Sequence, residues 1–195
     1  IISIILHPIF MPVIALYLSL KFIPSIGFAI TNYLNFIYLV LLFSTIILPL
    51  MSIFFLIKKK LVTSLEMSDH KERSLPLFIT AIWMIYGYYK LRDILLLSPI
   101  LKSEIMGAII IIFIASVISK YWKISLHLLA FGGVVGVFFS LNILFGGLLQ
   151  IIIILVLFSG ILGVARIHEK AHNHSQIYVG FLLGFLVEAG SVLFF

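Results

Sequence analysis

Residues 34–57 run for two dozen positions without a charged side chain, and no other feature of the sequence limits the fold as tightly. About 20 residues of α-helix cross the ~30 Å hydrocarbon core of a bilayer, and a helix satisfies its own backbone hydrogen bonds there. Further apolar segments fall at roughly 1–20, 75–91, 104–119, 124–145, 148–166 and 176–195. With 63% apolar and 10% charged residues, the 195-residue chain has no stretch left for a separate soluble domain. The expectation is one all-α integral membrane domain over 1–195. It is a polytopic bundle of about six to seven transmembrane helices with the lipid bilayer as its surroundings. The segments at 75–91 and 104–119 are short enough to suit a tilted or re-entrant hairpin.

Cysteine is absent, which excludes disulfides, thiolate metal ligands and cysteine nucleophiles. The net charge of +6 suits anionic headgroups or phosphorylated ligands, and is too dispersed to point to nucleic acid. The chain is already apolar at Ile1, with no basic segment or cleavage site before it, so no signal peptide is expected.

Counting spans places the chemistry. The polar loops 58–74, 119–124 and 166–175 are each separated by two segments, so they share one side of the membrane. Gly132 and Gly136 lie four apart in the fifth segment, and Gly180 and Gly184 four apart in the seventh. Small residues at that spacing let helix backbones approach closely. Pairing these two segments would bring His127 and His172, near their starts, together.

The stretch Ala165–His174, ARIHEKAHNH, allows two chemistries. His168, Glu169 and His172 spell H-E-x-x-H, a zinc-hydrolase pattern that works only if 168–172 is helical and a third ligand is near. Glu188 is about 24 Å further along a continuous helix at ~1.5 Å per residue, too far to serve. Arg166 and His172 instead spell R-x5-H, a phosphate-handling pattern that needs the helix to break between them. Asn173–Gln176 has the form of a capping box, which would start a new helix and set His172 beside its anion-favouring end. In Lys123–His127, Ser125 is a candidate N-cap, with His127 in the first turn that follows. In Ser68–Pro76, Lys71 and Arg73 precede Pro76, where a helix could start. Both, with Lys123, are candidate phosphate-binding cations. Lys58–Lys60 reads as a headgroup anchor.

Taken in order, these elements resemble the type 2 phosphatidic acid phosphatase (PAP2) superfamily, as a divergent bacterial membrane member. Its membrane members carry K-x6-R-P, P-S-G-H and S-R-x5-H-x3-D. This chain has Lys71/Arg73/Pro76, Ile124-Ser125-Leu126-His127 and Ala165-Arg166-x5-His172-x3-Gln176, and the resemblance covers about residues 66–185. It implies a metal-independent, cofactor-free lipid phosphatase acting on a phosphate or pyrophosphate headgroup. His172 would be the nucleophile and His127 the acid, while Arg166, Arg73 and Lys71 would hold phosphate. Three departures stand out: the Lys71–Arg73 spacing, Leu126 for a glycine, and Gln176 for the aspartate that orients the nucleophile. Glu169, Asp69 and Glu72 are substitute partners for that histidine. A non-catalytic lipid-phosphate binder or transporter is the alternative favoured by Gln176. A zinc hydrolase using HEKAH is the other.

The candidate-site loops hold nine Lys/Arg and the opposite side four, namely Lys21, Lys90, Arg92 and Lys102. The positive-inside rule would make the site cytoplasmic. Setting aside Lys71, Arg73, Lys123 and Arg166 for phosphate leaves five against four. The resemblance places the site toward the periplasm of a bacterial inner membrane. His7 is expected to be a structural interfacial histidine. Glu188 is an intramembrane carboxyl, either functional or neutral and buried, or exposed at the far interface. Arg92 and Asp93 read as interfacial charges.

Overall fold

The computed structural model describes residues 7–65, 67 and 69–194, so the first six residues of the expected 1–20 segment lie outside it. The described residues form helices and no strand. A 3-10 turn at Pro8–Phe10 leads into α1, Met11–Phe22. A 3-10 run at Pro24–Tyr33 occupies most of the expected 21–33 loop and continues into α2, Leu34–Leu42. A π-helical turn at Phe43–Ile47 joins α2 to α3, Leu48–Lys58. Then come α4, His70–Leu95; α5, Pro99–Ser119; α6, Leu126–Phe145; α7, Leu149–His168; and α8, His174–Phe194. Five stretches are long and apolar enough to cross a bilayer: Pro24–Lys58, α5, α6, α7 and α8. The chain is a multi-pass membrane protein.

The helices at 75–91 and 104–119 are longer than the apolar segments that mark them. α4 is 26 residues and α5 is 21, about 39 Å and 31 Å at ~1.5 Å per residue. α4 also begins earlier than Pro76 suggested. Asp69 caps it by accepting the Lys71 N–H at 2.9 Å, and Pro76 lies inside the helix. Lys71 and Arg73 therefore sit on the first turn of a helix rather than ahead of one. Two polar ties fasten α4 to α5: His70 Nδ1 lies 2.7 Å from the Ser119 carbonyl, and Ser116 Oγ donates to the Ser74 carbonyl at 2.9 Å. The π turn precedes Pro49, whose missing N–H disturbs the regular ladder. α4 packs onto that turn at Gly87, where an added Cβ would meet Ser44 Oγ at 2.5 Å.

α6 is the buried centre of the bundle, with twelve buried residues, including Phe131, Phe138 and Leu141. One apolar cluster joins α6 to α1, α7 and α8 through Met11, Phe138, Leu162 and Ile177. A second joins α1, α2, α4 and α5 through Leu16, Ile37, Leu91 and Leu101. α7 leaves Ile153, Leu157, Ile161 and Val164 exposed, as lipid contact requires.

α6 and α8 touch backbone to backbone, as the paired glycines predict. A Cβ on Gly132 would strike the Phe181 carbonyl, and one on Gly184 the Leu129 carbonyl. Backbone cannot yield as a flexible side chain does, and overpacking a tight interior costs about 1–3 kcal/mol. Gly184→Val should therefore lower the thermal midpoint of the detergent-solubilised protein by several degrees. Gly160→Ala, which meets nothing within 4 Å, should leave it unchanged or slightly raised.

Candidate functional site

The corner between α7 and α8 decides how ARIHEKAHNH folds. α7 stops at His168 in a Schellman arrangement: the Ala171 N–H donates to the Arg166 carbonyl at 3.1 Å, and the Lys170 N–H to the Ile167 carbonyl at 2.9 Å. Lys170 supplies the left-handed residue this needs, with φ 52°. The His172 N–H also donates to the Arg166 carbonyl, at 3.3 Å. Residues 169–172 are thus not helical, and His168 and His172 do not share a helix face. The H-E-x-x-H geometry is absent, while the break that R-x5-H requires is present.

The capping box forms. Asn173 Oδ1 accepts the Gln176 N–H at 2.9 Å, and Gln176 Oε1 accepts the Asn173 N–H at 3.2 Å. Gln176 Oε1 also lies 3.0 Å from His172 Nδ1. This fixes the histidine tautomer. A backbone N–H can only donate, so the Gln176 atom facing it is the carbonyl oxygen, and Nδ1 must then carry the proton. The Nε2 of His172 is left with a lone pair. Gln176 also reaches the start of α6, because its backbone carbonyl accepts the Ser125 N–H at 3.3 Å. That bond joins the starts of α6 and α8.

Positive charge surrounds the imidazole. His172 is buried, and burial, opposed by the Gln176 hydrogen bond and reinforced by Arg166, Arg73 and Lys123, pushes its pKa down to about 4. Lys123 is likewise lowered, first by burial and then by Arg73 and Arg166. Arg166 pairs with Glu169, Nη1 to Oε2 at 2.8 Å, while its buried Nε has no hydrogen-bond partner among the described residues. Arg73 Nε donates to the Met67 carbonyl at 2.8 Å, which ties Met67 to the first turn of α4. Lys123, Ala171, His172, Asn173 and Gln176 line an open hollow of about 410 Å³, with Ile167 and Lys170 at its side. Three cations and the first-turn N–H groups of α8 make this end of the bundle suited to an anion.

The remaining candidates divide. Ser125 occupies the N-cap position of α6, but its fully buried Oγ makes no capping bond and has no partner among the described residues. His127 is in the first turn of α6, and its ring lies 5.6 Å from that of His7. His7 thus joins the site, besides capping the 3-10 turn by accepting the Ile9 N–H. Lys71 is exposed and is not among the cations acting on His172. Of the substitute carboxylates, Asp69 caps α4, Glu72 accepts from the Thr63 N–H and hydroxyl, and Glu169 pairs with Arg166. The group on His172 Nδ1 is Gln176 itself. His70 drew no attention in the sequence, where only its place beside the capping Asp69 marks it.

Arg166→Gln should raise the His172 midpoint from about 4 toward the ordinary histidine range, since one of the opposing charges is gone. Imidazole nitrogen shifts in detergent micelles would follow it, and added inorganic phosphate should move the wild-type midpoint the same way. No family model, no curated protein and no solved structure matches this chain.

Proposed function

We propose that this protein hydrolyses a phosphate or pyrophosphate from a lipid headgroup, with His172 as nucleophile and no metal. The supporting observation is His172 itself: neutral, its Nδ1–H held by Gln176, its Nε2 bearing the lone pair, beside three cations and an open hollow. A phosphate drawn in by Arg166, Arg73 and Lys123 would meet an unprotonated nitrogen across the whole neutral range. In the proposed reaction Nε2 attacks phosphorus, and the bond to the lipid oxygen breaks with its electron pair passing to that oxygen. His127 donates the proton the oxygen needs. Water then attacks the phosphohistidine and gives its proton to His127, releasing inorganic phosphate and neutral His172. The basic hollow at one end of an apolar bundle suits a substrate whose tail stays in lipid. Phosphatidate, phosphatidylglycerol phosphate, undecaprenyl pyrophosphate and lipid A meet that description. We place the protein in a bacterial inner membrane with the site toward the periplasm.

The neutral Gln176 favours a second reading, a non-catalytic lipid-phosphate binder or transporter. Gln accepts the Nδ1 proton but adds no charge to stabilise the ring once it is phosphorylated. Loss of the corresponding charge in a serine-protease triad costs about 10⁴ in rate. Catalysis here would therefore be slow and improvable. Phosphate release from lipid phosphates by the purified protein should survive EDTA and vanish in His172→Ala. His127→Ala should slow it by about 10²–10⁴ and Arg166→Ala by about 10²–10³. Gln176→Glu keeps the reach and adds the charge, and should raise the rate above wild type. Specific binding of lipid phosphates without release in any variant would favour the binder.

A further inference from the structure

About 21 Å along α8 from its start at His174, at ~1.5 Å per residue, the bundle encloses a second polar feature unrelated to the basic hollow. Glu104 of α5 and Glu188 of α8 are both 5% exposed and line one small cavity of about 30 Å³, room for a single water-sized occupant. The rest of the lining is apolar, including Pro12, Leu41, Met84, Ile105 and Val137. Both carboxyl oxygens of Glu104 and Oε2 of Glu188 have no hydrogen-bond partner among the described residues. The fully buried Ser19 hydroxyl of α1 lies beside Glu104 and is equally unsatisfied by the described residues.

The packing makes room for these groups. A Cβ on Gly107 would strike Glu188 Oε2 and come within 3.0 Å of Ser191 Oγ. Cβ atoms on Gly133 and Gly136 would crowd the stem of Glu188 at 3.3 and 3.2 Å. Three glycines from two helices thus clear space for one carboxyl. Two carboxyls facing each other away from water cannot both carry uncompensated charge. Among the described residues no basic side chain lines the cavity; Lys21 on α1 instead lies over the Tyr17 and Phe22 rings, and Lys102 on α5 is outside the lining. Tyr38 and Tyr88 pack in the neighbouring apolar cluster, and neither lines the cavity.

We propose that Glu104 and Glu188 form a site for one monovalent cation inside the membrane, a proton or a dehydrated sodium ion, with Ser19 as an additional oxygen ligand. Three carboxyl oxygens without partners among the described residues, on two residues that line a water-sized cavity, with the Ser19 hydroxyl beside Glu104, are a donor set that a small hard cation takes. The site needs no part of the phosphate chemistry and stands or falls separately from it.

Dicyclohexylcarbodiimide, which enters the bilayer and reacts with protonated buried carboxyls, tests this on the full-length protein in liposomes. Mass spectrometry should find the adduct on Glu104 or Glu188. Adduct suppressed by sodium chloride but not by choline chloride at fixed pH makes sodium the occupant. Adduct that falls as pH rises and ignores sodium makes it the proton. As a second measurement, the thermal midpoint of wild type should depend on sodium or pH, and that dependence should be lost in Glu104→Gln/Glu188→Gln. Either result supports the site. No adduct, together with a midpoint profile that the double variant shares, overturns it. Phosphate binding at His172 should be unchanged in the double variant.

Discussion

Four glycines let α6 and α8 touch backbone to backbone, and both polar features of this membrane domain depend on that contact. Apolar side chains gain little from one another in lipid, so close van der Waals approach must hold such a bundle together. At one end the contact brings Gly180 to the Ser125 carbonyl and the Ser125 N–H to the Gln176 carbonyl. His127 and His172 are thereby carried to the same end of the bundle. Further along, Gly133 and Gly136 of α6 leave the space that the Glu188 stem fills. Widening the interface would disturb both.

Within the basic hollow, Gln176 does the work of three residues. Its side-chain oxygen receives the His172 and Asn173 protons, and its carbonyl receives the Ser125 N–H. A carboxylate here would raise the imidazole pKa further, whereas the neutral amide opposes burial and the three cations only through its hydrogen bond, and the ring stays unprotonated. Burial and those cations thus keep Nε2 available, at the expense of charge support once the ring is modified. The same balance favours binding of an anion, which would cancel the surrounding positive charge.

Local signals in the sequence carried much of this. Long uncharged runs marked the spans, span parity placed three loops on one side, and Asn173-x-x-Gln176 announced a helix start that forms. Pro76 misled, because proline is tolerated two turns into α4 where Asp69 caps a helix beginning at His70. The two readings of His168–His172 were inseparable in sequence because Lys170, an ordinary residue type, takes the left-handed conformation that ends α7. His7 reads in sequence as an interfacial histidine near the site, and its packing against His127 is a contact made across the fold. Glu188 is recognisable in sequence as an intramembrane carboxyl, but nothing local marks Glu104, near the start of α5, as its companion. Only tertiary packing shows that both line one cavity.

The central claim is that Nε2 of His172 takes up phosphorus, and the most direct measurement is chemical trapping of that bond. Purified protein would be quenched in alkali during turnover of a phosphorus-labelled lipid phosphate, digested, and its label mapped. The account predicts an alkali-stable, acid-labile phosphohistidine at His172, accumulating further in His127→Ala if the departure of phosphate depends on that histidine. Phosphate release by wild type with no label on His172 at any time would contradict it.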